Sequence, residues 1–427
     1  MDAAAEADRA RVRGDSLGRL HGVPISIKSA IDVAGFRCEC GSRFRQGHVA
    51  EQDATLVAKL RAEGAIVVGV SNTPDLLAAY ETDNHLYGRT NSPWGLELTP
   101  GGSSGGEAAA ISAGMVTAGF GSDGGGSVRV PAHFCGLFGL KPTPGVVSRA
   151  GHWPPCYGPP SFLGLAGPMT RNAEDLGLLL QITAGYDDAD PRSVPLPVSI
   201  SDVNELRGLR VGFFEEDGVT PIDDDNRQAV RDAVAAFRDA GCEAAPFGAP
   251  KLDEILELWW TLFAVGARTG IAPMIEGRED ELHPLSLWLL ASPEEAAAMT
   301  HARFLEAWSR RDALRGEFLQ AMSEFDLVVC PVASVAAYPH GQREWIIDGQ
   351  GARYPGIFGC SQIFNLLGVP AAVAPVRRTT AGLPVGVQIV ARPYADGLTV
   401  MAATLLERAF GSSPRPPALN PADGQMP

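Results

Sequence analysis

Two glycine-rich segments, each of which encloses serine, constrain this chain more than any other feature. Ser103 and Ser104 lie between two pairs of glycines in residues 99–107, and Ser127 follows three glycines in residues 121–129. Glycines beside a serine remove the Cβ atoms that would block access to its hydroxyl, and they leave backbone N–H groups free to face a ligand. The flanking segments are apolar rather than low in complexity, which favours buried, ligand-facing loops over a flexible linker.

A lysine upstream of both segments is the third candidate group. Lys28 ends a stretch in which Val23, Ile25 and Ile27 alternate with other residues, a pattern typical of a buried strand. Burial lowers the pKa of a lysine and can make it a base, whereas most lysines lie at the surface. From these residues alone both interpretations stay open. A serine pair and a lysine suffice for nucleophilic attack without histidine.

The order and spacing of these segments resemble the amidase signature family of serine hydrolases. The resemblance rests on Lys28 in its Gly-Val-Pro-Ile-Ser-Ile-Lys context, on the Gly-Gly-Ser-Ser-Gly-Gly run and on the Asp-Gly-Gly-Gly-Ser-Val-Arg run. Residues 139–143, 166–171 and 382–389 also look like family segments. The likeness extends from about residue 19 to 410 and is thin between about 240 and 325.

The resemblance implies a role for each of these residues. Ser127 would be the nucleophile, and Ser103, which follows a cis peptide bond in the family, would pass its proton to Lys28. The following residues are implied to form the oxyanion hole: Gly124, Gly125, Gly126 and Ser127. A further set is implied to fix the loops: Ser104, Asp123 and Arg129. The family has a longer helical segment before the lysine than the 27 residues here, and it often has Asp where this chain has Ser29.

The implied activity is hydrolysis of linear amides, carbon–nitrogen bonds other than peptide bonds, through an acyl-enzyme. Trp153, Tyr157 and Phe162 predict an apolar pocket for aryl or alkyl acyl amides, although packing within their own loop explains them equally well. Esters and carbamates (urethanes) react by the same path. An alternative is the amidase-like subunit of a glutamine-dependent tRNA amidotransferase, which would act with a partner protein. A catalytically silent relative is disfavoured because all three reactive positions are intact.

Composition excludes other classes. A net charge of −15 and a pI near 5.0 argue against a nucleic-acid partner. Seven scattered cysteines without metal-site spacing predict reduced thiols, and no cofactor or metal is expected. Gly119, Gly121 and Gly124 fit a dinucleotide-binding spacing, but no acidic residue lies between Asp123 and Glu174. Without an apolar N-terminal core or a run of ~20 apolar residues, we expect a cytoplasmic enzyme with no membrane contact, and a homodimer stays open.

Alternating helices and strands predict an α/β fold, a mixed twisted sheet covered by helices on both faces. Strands are predicted at residues 65–70, 209–214, 326–330, 370–376 and 386–390, and helices at 53–62 (with Asp53 as N-cap), 107–119 and 223–240. We expect one domain over residues 1–427, with its core in about 19–240 and 325–410 and a frayed tail at 412–427. The helical region at about 250–325 carries Trp259, Trp260, Trp288 and Trp308. It either fills its own core or roofs the active site.

Overall fold

A computed structural model describes residues 2–417 except 156–157, 249–250, 288 and 291. Tyr157, Trp288 and the tail from residue 418 onward therefore lie outside the described residues. The strands are β1 (Pro24–Lys28), β2 (Ile66–Ser71), β3 (Ala118–Asp123), β4 (Phe138–Lys141), β5 (Leu165–Thr170), β6 (Arg210–Phe213), β7 (Glu243–Pro246), β8 (Leu327–Pro331), β9 (Glu344–Ile347), β10 (Gln350–Arg353), β11 (Ala371–Arg378) and β12 (Pro384–Ala391). The helices are α1 (Asp2–Arg13), α2 (Thr55–Ala62), α3 (Gly105–Ser112), α4 (Arg129–Cys135), α5 (Ala173–Thr183), α6 (Asp224–Asp239), α7 (Leu252–Trp259), α8 (Gly266–Ile275), α9 (Pro284–Leu287), α10 (Pro293–Ala297), α11 (His301–Ala321), α12 (Gly359–Leu366) and α13 (Asp396–Phe410).

In the described part of the chain, ten strands form one mixed sheet in the order β2-β1-β3-β5-β4-β11-β12-β8-β6-β7, and β9 pairs with β10 apart from it. At one end β1 is parallel to both β2 and β3, whereas the centre of the sheet is antiparallel. Parallel strands bring their carboxyl ends to the same edge of a sheet. Lys28, the last residue of β1, and Asp123, the last residue of β3, therefore lie at one edge.

Helices cover both faces of the sheet because successive strand residues point to opposite sides. On β11, Ala371 and Val373 belong to one buried apolar cluster, and Ala372 and Ala374 belong to the other. The first cluster is completed by α3, α4, α7, α11 and α12, and the second by α2, α5, α6 and α13. The expected mixed sheet between helical layers is confirmed. None of the described helices is both long and apolar enough to cross a bilayer.

Two local expectations are wrong. The helix expected at 107–119 is α3, which ends at Ser112, and β3 begins at Ala118. Gly114 has a φ of +71°, a conformation that stops a helix and that glycine adopts at little cost. The second error concerns Asp53, which does not cap α2: its carboxylate instead accepts from the Ala34 N–H at 2.8 Å and pairs with Arg61 at 3.0 Å.

Candidate active site

The Lys28 side chain is fully buried at the end of β1 and is held by hydroxyl groups. Its Nζ donates to the Oγ of Ser103 at 2.7 Å, of Ser104 at 2.9 Å and of Ser122 at 3.1 Å. Burial lowers the pKa of Lys28 to about 7, against the opposing charges of nearby acidic groups such as Asp123. Near neutral pH a large fraction of this amine is therefore unprotonated and can accept a proton.

Ser103 stands between this amine and the cavity. The Gly102–Ser103 peptide bond is cis. A Cβ at Gly102 would lie 2.8 Å from backbone atoms of the 79–81 segment, so only glycine allows the loop to approach it. Ser103 and Ser127 line the same cavity, and the Ser104 N–H donates to the Ser127 carbonyl at 3.1 Å, which joins the two glycine-rich segments.

A fully buried ion pair fixes the loop that carries Ser127. The Asp123 carboxylate accepts from Arg129 Nε and Nη2, both at 3.0 Å, and from the Gly126 N–H at 2.7 Å and the Val128 N–H at 3.1 Å. Burial alone would raise the pKa of Asp123, but the charge and hydrogen bonds of Arg129 outweigh it and hold the pKa well below its usual range. Arg129 also donates to Gln388 and Asn365. Asp123 and Arg129 thus fix the loop.

The backbone N–H groups near Ser127 divide into two kinds. The N–H of Gly126 is already occupied by Asp123. The N–H groups of Gly124, Gly125 and Ser127 have no hydrogen-bond partner among the described residues. These three remain available to an oxyanion, whereas Gly126 serves the loop itself.

Three side chains hold the carbonyls on the other side of this loop. Asn365 Nδ2 donates to the Asp123 carbonyl at 3.0 Å, Trp259 Nε1 to the Gly124 carbonyl at 3.0 Å and the Tyr80 hydroxyl to the Gly125 carbonyl at 2.8 Å. Because a peptide carbonyl and the next N–H point in opposite directions, these bonds orient the N–H groups of Gly124, Gly125 and Gly126. Sequence reasoning missed these three partners, because they lie far away along the chain and belong to no motif.

A cavity of about 260 Å³ lies over Ser103 and Ser127. We call Lys28, Ser103 and residues 122–129 its floor. One face of the helical region lies opposite. We call the following lining residues its roof: Leu262, Phe263, Gly266, Ala267, Gly270, Ile271, Leu289 and Leu290. The helix makes a π-helical turn at Trp260–Val265, and such turns often occur at functional sites. The roof is apolar throughout.

The family comparison can now be set beside this geometry. The model of the family described as Amidase matches residues 1–400. The chain belongs to the amidase family. Among the curated relatives of this amidase-family chain is a glutamyl-tRNA(Gln) amidotransferase subunit of Geotalea daltonii, 32% identical over 95% of this chain and 87% of the relative. The same subunit of Gloeobacter violaceus is 32% identical over 98% of this chain and 89% of its own length.

Solved structures agree with the family assignment. A chain from an unexpected vestigial protein complex, connected with the evolutionary origins of an s-triazine catabolic enzyme, has a TM-score of 0.88. It is 28% identical and covers 97% of this chain and 89% of its own. The glutamyl-tRNA(Gln) amidotransferase subunit from Thermotoga maritima has a TM-score of 0.81 at 30% identity, covering 94% of this chain and 87% of its own.

Two of the aromatic residues expected to line the pocket, Trp153 and Phe162, are not among the residues that line this cavity. Trp153 packs under the Arg45 guanidinium, 4.9 Å from the ring centroid, and is not among the residues that line the catalytic cavity. Phe162 is 41% exposed and lines a neighbouring cavity. Tyr157 is outside the described residues. Apolar surface comes from leucines of the roof and of residues 76–77 and from Pro154, Pro155 and Leu163, and Arg149 and His152 are polar members of the lining.

Proposed function

We propose that the chain hydrolyses amide C–N bonds through an acyl-enzyme on Ser127. The Ser127 Oγ attacks the carbonyl carbon, its proton passes to the Ser103 Oγ, and the Ser103 proton passes to the neutral Nζ of Lys28. The negative oxygen of the tetrahedral intermediate accepts hydrogen bonds from the free N–H groups of the floor. One such donor is typically worth about 2.7–4 kcal/mol in the transition state.

The same path then runs in reverse. Lys28 returns a proton through Ser103 to the departing nitrogen, the C–N bond breaks, and an amine or ammonia leaves while Ser127 stays esterified. Water enters, gives a proton to the path and attacks the ester carbonyl. The bond from carbon to Ser127 Oγ breaks, Ser127 regains its proton, and the carboxylic acid departs. Esters and carbamates would follow this path with a different leaving group.

The contact of 2.7 Å between Lys28 Nζ and Ser103 Oγ carries this proposal. A buried amine with a pKa of about 7 is matched to accepting and returning a proton near neutral pH. The apolar roof favours an amide with an aryl or alkyl acyl body, since apolar surface binds by being removed from water.

A second candidate has a different support. The curated relatives are named as a subunit of glutamyl-tRNA(Gln) amidotransferase, at 32% identity over almost the whole chain. Sequence similarity therefore favours an ammonia-supplying protein, acting on glutamine beside a partner protein, over a free-standing apolar amidase. The lining of the cavity favours the free-standing amidase. A homodimer and a cytoplasmic location stay predictions from the sequence.

A substrate panel separates the two candidates. The purified chain is assayed with an anilide, an aliphatic amide, a carbamate, an ester and glutamine, and a fluorophosphonate probe reports the nucleophile. We expect anilide turnover and labelling in the wild type and neither in Ser127→Ala. Ser112→Ala is the control, because its hydroxyl is buried outside the cavity on the Cys135 carbonyl at 3.0 Å.

The outcomes are distinct. Labelling that persists in Ser127→Ala would place the nucleophile at another residue. Ammonia release from glutamine without anilide turnover, together with a copurifying second protein, would establish the amidotransferase candidate instead.

A further inference from the structure

We propose that the substrate carries a carboxylate, and that Arg149 and His152 bind it where the catalytic cavity meets a second cavity. This inference rests on the proposed function, since it names a chemical class for the substrate of the same site. Both residues line both cavities. The second cavity has a volume of about 310 Å³. The two residues therefore occupy the junction between the chamber that holds the nucleophile and the space beside it.

The Arg149 guanidinium has donors that the described part of the protein does not satisfy. Its Nε and Nη1 are shielded from solvent and have no hydrogen-bond partner among the described residues. Its Nη2 contacts His152 Nδ1 at 3.2 Å. The only hydrogen bond between Arg149 and Asp190 in the described chain comes from the Arg149 backbone N–H, at 2.9 Å, and no described carboxylate forms an ion pair with the Arg149 side chain. Arg149 is only partly buried as a residue, but a cation whose donors are shielded from solvent and unpaired is unfavourable, so an anionic ligand would complete this group.

His152 adds a further donor. His152 Nδ1 lies 3.2 Å from Arg149 Nη2 and 3.3 Å from the Pro154 carbonyl oxygen. Arginine cannot accept a hydrogen bond, so the contact with Arg149 requires the tautomer in which Nδ1 accepts and the ring proton lies on Nε2, and we take this tautomer as part of the proposal. That Nε2 is also buried without a partner among the described residues. Burial first, and then the Arg149 charge, hold the pKa of His152 well below its ordinary value, so the ring stays neutral. A carboxylate takes one edge of a guanidinium, so Arg149 Nε–H or Nη1–H, but not both, would donate to it, and His152 Nε2–H would add a further hydrogen bond.

The charges that face the catalytic cavity favour an anion over a zwitterion. The one acidic side chain that lines it in the described structure is Asp123, and the buried Arg129 neutralises it. Asp190 lines only the second cavity, where its oxygens accept from the N–H groups of Arg149 and Arg192. An α-ammonium group would find no unpaired carboxylate in the catalytic cavity. We therefore expect an amide with an apolar body and a terminal carboxylate to bind better than glutamine.

Matched substrates test this inference. Anilides of succinic, glutaric and adipic acid, each with a free carboxylate, are compared with anilides of the same length that end in a methyl group. We expect the best acid to exceed its neutral partner by about 10–100-fold in kcat/KM, the effect of charge-assisted hydrogen bonds. Arg149→Gln is expected to abolish this ratio and Arg149→Lys to restore part of it. Arg192→Gln is the matched control, since Arg192 lines only the second cavity, and it should keep the ratio.

A second pair of compounds isolates the effect of the α-ammonium group on binding. Glutaramate differs from glutamine only by lacking the α-ammonium, and we expect glutaramate to be the better ligand by about tenfold or more. If glutamine is preferred, or if both bind equally, the argument from charge is overturned.

Binding measurements keep this test separate from the proposed function. Calorimetry on Ser127→Ala with the same pairs needs no turnover. A wild type that labels at no serine and hydrolyses no substrate defeats the proposed function, while the binding preference still decides on the carboxylate. No preference for the acid at any chain length, a preference that survives Arg149→Gln, or an equal loss in Arg192→Gln would each overturn the inference.

Discussion

The floor and the roof of the cavity are built in opposite ways. In the floor the two buried ionisable groups have several partners each: Lys28 has three hydroxyls, and Asp123 has a guanidinium and several backbone N–H groups. The roof offers only apolar side chains and glycines on one helical face. Specific hydrogen bonds fix positions to a few tenths of an ångström, whereas apolar contact tolerates substitution at similar volume. Under the proposed function the floor would set the reaction, and the roof, together with Arg149 and His152, would select the substrate.

The largest expected effect comes from removing the base. Lys28→Met keeps the aliphatic bulk but cannot accept the proton from Ser103, so kcat should fall by about 10²–10⁴-fold. The floor should remain folded, because a neutral side chain in this site is easier to bury than an ammonium. Steady-state kinetics with circular dichroism measure both. Lys141→Met is the matched control: Lys141 is also fully buried with a pKa lowered to about 7, but its Nζ donates to the Pro142 carbonyl rather than to the serines of the floor. Comparable loss in both variants would refute the relay.

The next effect is on stability. Arg129→Met leaves Asp123 buried without its counter-charge, which should lower the free energy of unfolding by about 3–5 kcal/mol. Urea denaturation measures it. Arg61→Met breaks the partly exposed Arg61–Asp53 pair and should cost less than about 1 kcal/mol. Equal losses would show that the buried pair is not what distinguishes the floor.

The pH dependence of kcat/KM should follow the titration of Lys28. With a Lys28 pKa of about 7, kcat/KM should rise about tenfold per pH unit below pH 7 and level off above it, because the neutral amine is the reactive form. The free energy of unfolding should also rise with pH, because the same lysine titrates differently in the folded and unfolded chain. Between about pH 7 and 10.5 the unfolded chain keeps this amine protonated and the folded chain does not, so stability rises with pH there.

Glu107 provides the check on that assignment. It is fully buried, accepts from Ser26 and Ser71, and burial raises its pKa to about 7. Its negative charge raises the pKa of Lys28, so Glu107→Gln should move the inflection of kcat/KM to lower pH. An inflection that disappears in this variant would assign the titration to Glu107.

The same contrast explains what the sequence could reveal. The glycine-rich segments drew attention to the serines, but the roles of Lys28, Ser103 and Ser127 came from the resemblance to a known family, because the residues alone left Lys28 open. The sheet followed from alternating helices and strands. The structure brings Lys28 and Ser103 into contact, and the role of Ser127 stays a prediction. For the helical region the sequence left two alternatives open, its own core or a roof over the active site, since many apolar sequences would line a cavity equally well. The loop at residues 151–160 does contribute to the lining, through His152, Pro154 and Pro155 rather than through Trp153.

The side chains that hydrogen-bond to the floor from distant parts of the sequence could not be predicted for a related reason. Tyr80, Trp259 and Asn365 hold the floor's carbonyls from 45, 135 and 242 residues away, and nothing in their local sequence distinguishes them from ordinary core residues. Arg149 likewise has no motif of its own. Only the folded chain shows that its guanidinium is left without a carboxylate.

Trp259 contacts both the floor and the roof of the cavity. It belongs to the helix that continues into the roof, and its ring stacks on the roof residue Phe263 at 4.8 Å between centroids. Its indole N–H nevertheless donates to the Gly124 carbonyl of the floor. Trp259 is therefore a positioning residue for the N–H groups that face the oxyanion, and changing it should affect the reaction rather than substrate binding.

Trp259→Phe keeps an aromatic ring against Phe263 but removes the N–H together with part of the buried indole, which leaves a buried carbonyl unpaired. We expect kcat and the rate of fluorophosphonate labelling to fall by about tenfold, with KM nearly unchanged, because the lost bond costs about 1–3 kcal/mol. Trp308→Phe is the matched control in the same helical region, since Trp308 Nε1 has no hydrogen-bond partner among the described residues and no such bond is lost. If Trp259→Phe raised KM while kcat stayed constant, Trp259 would belong to the roof alone, and the floor would hold its geometry without help from the helical region.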